Sequence, residues 1–233
     1  MKYTFAFLSL CVLFMGCTKD WGNPKTNNYH IDGSFTGLDV SDAFEVTMSD
    51  QVTDVVVTVG EMAHRRVLVK VVDGELHIGF KKGTQYRGTA TAVVPAMVNL
   101  RELNLSGASS FTGDLNGHDV DIDLSGASTF RGRVDADDLD IDLSGASDAI
   151  INGFCQDKMK IDLSGASSLK ASLLETQSVN GAMSGSSDAD VTVCSSLNVN
   201  LSGASTLTYG TINEDCNPID NCKTSGASTV SRR

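Results

Sequence analysis

The sequence predicts an all-β fold: a single-stranded, right-handed β-helix (a solenoid) with coils of about 18–20 residues. Three observations predict it. The tetrapeptide Ser-Gly-Ala-Ser begins at Ser106, Ser125, Ser144, Ser164, Ser202 and Ser225, with a Ser-Gly-Ser-Ser variant at Ser184. Successive copies start 19, 19, 20, 20, 18 and 23 residues apart. Five of the seven copies are preceded by an apolar–polar–apolar alternation, the period of a half-buried strand. No stretch sustains the i, i+3, i+4, i+7 apolar spacing that a helix needs.

Each unit follows the same grammar. Leu105, Leu124, Leu143, Leu163, Met183, Leu201 or Thr224 stands directly before the motif. Leu103, Ile122, Ile141, Ile161, Gly181 or Val199 stands two residues earlier. A second apolar set follows the motif (Phe111, Phe130, Leu169, Ala189, Leu207), and then a third (Leu115, Val134, Leu173, Val193). Three short strands per unit, separated by turns, are the expectation. Stacked coils would line the apolar sets into ladders about 4.8 Å per step. At the motif the chain must turn sharply in every coil. Gly107, Gly126, Gly145, Gly165, Gly185, Gly203 and Gly226 supply the backbone freedom for it. Alanine is small enough for a tight inner corner, and the serines can bond nearby backbone groups.

Composition agrees with a thin core. Hydrophobic residues make up 41% of the 233, yet aromatics only 6%. The net charge of -11 repels phosphate backbones, so nucleic-acid binding is not expected, while cations would be attracted.

Residues 1–17 read as a lipoprotein signal. Lys2 supplies a positive start, an apolar run extends from Phe5 to Met15, and Gly16 precedes the lipidation residue Cys17. The run is too short to span a bilayer. Acylation of Cys17 with two or three chains would anchor the protein stably to a membrane. Residues 18–28, polar and containing Pro24, read as a tether. Residues 29–233 form the β-helix domain: irregular coils or a cap over 29–100, regular coils over 101–209, and a C-terminal cap over 210–233. Strand signals before the repeats include Val55, Val57 and Val59, then Val67, Val69 and Val71, with a turn at Asp73-Gly74.

The lipoprotein signal, the segment Asp73-Gly74-Glu75-Leu76-His77-Ile78, the Val94-Pro95 step and the repeated Leu-Ser-Gly-Ala-Ser together resemble the putative auto-transporter adhesin "head GIN" domain family. That family is typical of Bacteroidetes lipoproteins, and the resemblance covers roughly residues 29–230. It implies a β-helical fold and a cell-envelope location, and it carries no catalytic or binding residues over.

Candidate chemistry is sparse. Asp123, Asp142 and Asp162 share one repeat position, and Asp121 and Asp140 another. Stacking would bring these like charges within about 5 Å of one another. Bound Ca²⁺ would relieve them, and so would solvation with neighbours such as Lys160. Four cysteines remain after processing: Cys155, Cys194, Cys216 and Cys222. A local Cys216–Cys222 bridge around the C-terminal insertion is the first expectation. Cys194–Cys216, about one coil apart, is also geometrically possible, and spacing alone does not select a pairing. The missing CxxC spacing argues against a zinc site. His30, His64, His77 and His118 are scattered and do not repeat. Ser167-Ser168-Leu169-Lys170 matches S-x-x-K in form only, since Ser167 belongs to the turn motif. Arg131, Arg133, Asp135 and Asp137 read as a charged outer strand.

No cofactor is expected. The expected function is a non-catalytic envelope lipoprotein, at the outer membrane, that binds or adheres to glycan or protein. A homo-oligomerising scaffold and a polysaccharide-active enzyme on a β-helix are the alternatives.

Overall fold

A computed structural model describes residues 21–96 and 99–233. Residues 1–17, with Cys17, lie outside the described residues. The strands in chain order are β1 (Pro24–Tyr29), β2 (Gly37–Val40), β3 (Phe44–Ser49), β4 (Val55–Gly60), β5 (Val67–Val72), β6 (Glu75–Phe80), β7 (Ala90–Pro95), β8 (Glu102–Leu105) and β9 (Ser110–Thr112). Then come β10 (Leu115–Leu124), β11 (Thr129–Leu143), β12 (Asp148–Leu163), β13 (Ser168–Met183), β14 (Asp188–Leu201), β15 (Thr206–Gly210), β16 (Ile219–Asp220), β17 (Lys223–Thr224) and β18 (Thr229–Arg232). One short 3₁₀ helix, Glu61–Arg66, is the only helix among the described residues.

The strands stack as a β-solenoid of about seven turns. Parallel pairing in the regular coils joins residues about one repeat apart, as in Leu124 with Leu143 and Leu163 with Met183. The apolar positions stack into inner ladders. Val40, Leu105, Leu124, Leu143, Leu163, Met183 and Leu201 form one, buried along its length. Val46, Phe111, Phe130, Ala149, Leu169, Ala189 and Leu207 form another.

Several expectations need correction. The three short strands per unit are instead one long strand in each regular coil, such as the 15 residues of β11 and the 16 of β12. Backbone bonding between coils passes through the bends and continues across the Ser-Gly-Ala-Ser turn, where Ala127 N donates to the Gly107 carbonyl and Ala146 N to the Gly126 carbonyl, both at 2.7 Å. Leu173, expected inside, is 76% exposed. A bulge between Ile150 and Asn152 shifts the register, so that Leu174 takes the buried place beside Gly153, whose other neighbour is Val134. At the turn the alanines Ala108, Ala127 and Ala146 face outward, and the inner corner belongs to the fourth residue of the motif. Ser109, Ser128, Ser147, Ser167, Ser187 and Ser205 are all buried. A serine suits that corner because its hydroxyl can donate within the turn: Ser128 Oγ to the Ser125 carbonyl at 2.7 Å, Ser147 Oγ to Ser144 at 2.7 Å.

The tether assignment also fails over its second half. Trp21 is buried, and Pro24–Tyr29 is a strand paired antiparallel with β4. Here alternation was hidden by polar side chains on an edge strand, where backbone pairing sets the conformation.

The first coil, β2 with β3, does not sit at the end of the stack. On one side it pairs with β6 and β7, on the other with β8 and β9. Its turn, Ser41-Asp42-Ala43, occupies the place of Ser106-Gly107-Ala108, with Asp42 at φ 61 where the later coils carry glycine. This earlier copy of the turn escapes a search for the tetrapeptide. Beyond β6 and β7 the array closes with antiparallel neighbours, β5 on β6 and β4 on β7. The β5–β6 hairpin turns at Asp73-Gly74, both with positive φ.

The expected Cys216–Cys222 bridge is absent: Cys194 and Cys216 form the disulfide, with Cα atoms 4.6 Å apart. Coil stacking places Cys216 beside a residue 22 positions earlier, so the bridge fastens the C-terminal insertion to β14. Cys222 precedes Lys223, the partner of Asn200, and packs against the core. Burial pushes its thiol up to about 11. Cys155 is also free, and burial raises its thiol.

Candidate functional site

The outer face of the strands that precede each turn carries the polar residues between the inner aliphatics. Ladder pairing sets them in two columns. One runs His77, Asp39, Asn104, Asp123, Asp142, Asp162, Ala182, Asn200. The other runs Glu75, Gly37, Glu102, Asp121, Asp140, Lys160, Asn180, Asn198. Within the regular coils both columns follow from the repeat, because every second residue of a strand points to the same face; His77, Asp39, Glu75 and Gly37 join them through the pairing of β2 with β6 and β8.

A groove of about 470 Å³ follows the first column. One wall is Asp39, Asn104, Asp123, Asp142, Asp162 and Ala182. The other is the first serine of successive turns, Ser106, Ser125, Ser144, Ser164 and Ser184, and backbone of the intervening leucines forms the floor. At about 4.8 Å per strand, six strands make a trough about 24 Å long. It therefore brings Asp123, Asp142 and Asp162 into one continuous site, which the repeat spacing foretold. It also takes in Asn104, at the same position of the first repeat unit, and adds Asp39, which comes from outside the repeats.

The electrostatics are those of crowded anions. Partial burial raises the Asp123 carboxyl above its ordinary value, and the Asp142, Asp121 and Glu102 carboxylates raise it further. Asp121 is raised by burial, then by Asp140, Glu102 and Asp119. Asp142 is raised by burial and its acidic neighbours, against the pull of Lys160. Lys160 is the counter-charge among the described columns: its Nζ lies 3.2 Å from Asp162 and 3.8 Å from Asp140. Lys158 pairs with Asp138 at 3.2 Å, one position farther out.

These shifts set a pH dependence. A carboxyl with a raised folded-state pKa binds its proton more tightly in the folded chain. The column is therefore destabilising where the groups are ionised, and stability rises as pH falls through the raised values. Below the ordinary value of 3.8 the contribution vanishes. Asp123→Asn should stabilise the fold by about 0.2–1 kcal/mol near neutral pH, the scale for like charges opposed across strands. Urea denaturation below the ordinary carboxylate range should show no gain.

The remaining candidates have structural places. Gly107, Gly126, Gly145, Gly165, Gly185, Gly203 and Gly226 all lie at the turns with φ between 71° and 78°. Ser167 is buried, with its hydroxyl directed at the Leu143 carbonyl, while Lys170 is exposed. Arg133 is held by Asp135 at 2.6 Å. No helix among the described residues is long and apolar enough to cross a membrane.

Comparison with known proteins gives the fold a wider setting. A family described as "Putative auto-transporter adhesin, head GIN domain" matches residues 34–211. No curated protein matches the chain. A putative adhesin from Bacteroides fragilis superimposes with a TM-score of 0.75 at 18% identity, covering 91% of this chain and 97% of the other. A putative adhesin from Parabacteroides merdae gives 0.59 at 19% identity over 91% and 98%. A protein from Parabacteroides distasonis described as a putative lipid binding protein gives 0.62 at 18% identity over 91% and 97%.

Proposed function

The chain belongs to the head GIN domain family of auto-transporter adhesins, and from that premise we propose that it is a non-catalytic binding module of the cell envelope, anchored by a lipid on Cys17. Its ligand lies in the acidic groove. The observation that carries this reading is the regular row of acceptors: Asp39, Asn104, Asp123, Asp142 and Asp162 recur at the coil repeat, opposite a row of turn serines. A ligand that recognises such a row must itself offer regularly spaced donors along an extended backbone. A glycan chain does so, since its hydroxyls can donate to carboxylates and its length can follow the trough. Solenoid faces serve extended ligands in this way.

The experiment is a binding screen on soluble protein beginning at Thr18, so that the buried Trp21 is kept, against glycans, matrix proteins and lipid vesicles. Light scattering is recorded on the same sample, and the screen is repeated with added Ca²⁺. Saturable glycan binding by the monomer, reduced at least tenfold in the Asp123→Asn, Asp142→Asn, Asp162→Asn triple variant, supports the reading. Binding untouched by the triple variant moves the site elsewhere. A stable multimer without glycan binding favours a scaffold. Preference for vesicles favours a lipid ligand, as the description of the Parabacteroides distasonis protein suggests for that protein. Shortening of a bound polysaccharide would favour an enzyme.

A further inference from the structure

At the end of the groove nearest the antiparallel strands, three residues far apart in sequence meet. Asp39 lies on β2, and Glu75 and His77 lie on β6, which pairs with β2 in parallel register. Ligand atoms from all three lie within 4.8 Å of one another. His77 Nδ1 is 2.8 Å from Asp39 Oδ2. With the ring proton on Nδ1 donated to that carboxylate, Nε2 is left as an acceptor, and Glu75 Oε2 lies 3.5 Å from it. Two acceptor atoms this close are relieved by a proton or a cation shared between them.

Neighbours fix both partners. Asn104 Nδ2 donates to Glu75 Oε1 at 2.7 Å, which turns the other oxygen, Oε2, toward the imidazole. Gly37 lies between Glu75 and Glu102 in the ladder, and a Cβ there would sit 3.2 Å from Glu75 Cγ. The missing side chain gives Glu75 room to lean across. His77 and Glu75 are each only 23% exposed at the side chain, on paired strands.

The geometry points to a divalent transition-metal site, with His77 Nε2 and Glu75 Oε2 as ligands and Asp39 as the positioning residue behind the imidazole. Metal–nitrogen and metal–oxygen bonds of about 2.1 Å at a tetrahedral angle separate the two ligand atoms by about 3.4 Å. The gap between Nε2 and Oε2 has that width. A carboxylate on the far ring nitrogen is the usual arrangement behind a metal-bound histidine, because it holds the tautomer and raises basicity. A nitrogen ligand selects ions such as Zn²⁺ over Ca²⁺, which takes oxygen. The site shares Asp39 with the groove and borders Asn104, but its test needs no glycan.

The experiment is Zn²⁺ titration of the protein against a competing chromogenic chelator, with far-ultraviolet circular dichroism confirming that each variant keeps its strands. One Zn²⁺ site is expected, weakened at least tenfold in His77→Gln and in Glu75→Gln. Asp39→Asn should weaken it by about tenfold, the scale for losing a group that orients a ligand. His30 and His118 each face two carboxylates on the surface, so His30→Gln and His118→Gln are the controls. A Zn²⁺ site unchanged by His77→Gln, an absence of Zn²⁺ binding, or equal displacement by Ca²⁺ would overturn the assignment.

Discussion

Gly145→Ala should destabilise the protein by about 2–5 kcal/mol. Two costs combine. Gly145 has φ +75°, where a Cβ crowds the backbone at about 1–2 kcal/mol. A Cβ built there also lies 2.5 Å from the carbonyl oxygen of Gly126 in the preceding coil. That oxygen accepts a bond from Ala146 N at 2.7 Å, so it cannot retreat without breaking the ladder. Forcing the coils apart adds about 1–3 kcal/mol, as overpacking does in a close-packed interior. Gly107 separates the two terms. Its φ is +76°, but its Cβ would meet nothing closer than Asp42 N at 3.6 Å. Gly107→Ala should therefore lose only the torsional part, about 1–2 kcal/mol. Guanidinium unfolding of the two variants checks the difference, and equal losses would show that stacking contributes nothing.

Phe130→Ala is expected to lose about 3–5 kcal/mol, the range for an aromatic ring removed from a core. Phe130 is fully buried and stacks on Phe111, with centroids 5.9 Å apart and planes 10° from parallel. Ala149 follows it in the same ladder and has no volume to move into the gap. Phe130→Leu keeps most of the volume and should lose less than half as much, as read from the same denaturation curves. Because the aromatic content is low, a few such rings fill space that aliphatic ladders leave elsewhere.

Coil period, strand character and the outward acidic column were all legible, because a solenoid repeats one local solution and the sequence repeats with it. Asp123, Asp142 and Asp162 could be placed side by side by counting alone. Where the repeat is imperfect, counting fails. One extra residue in β13, where Ala171 and Ser172 face the single Ile151 of β12, exchanged the roles of Leu173 and Leu174, which look equivalent in sequence. The inner corner went to serine over alanine because a buried hydroxyl can be satisfied within its own turn. Asp39 and His77 meet only because a strand some 38 residues on pairs beside the first coil, and no local spacing announces that. Cys194 and Cys216 lay in the right relation for stacked coils, yet spacing left a shorter loop open as well.

The insertion of β2 and β3 between strands of later origin has a consequence for the order of assembly. As the chain is synthesised, residues 37–49 emerge with both edges bare. One edge is covered only when residues 75–95 follow, and the other only at residues 102–112. Until then the first coil is a pair of open strands, able to join any other open strand it meets. Once those segments arrive, the whole front of the array locks together as a unit. Each later coil then needs only the one before it, so the array can grow coil by coil toward its C-terminus and fray from that end first.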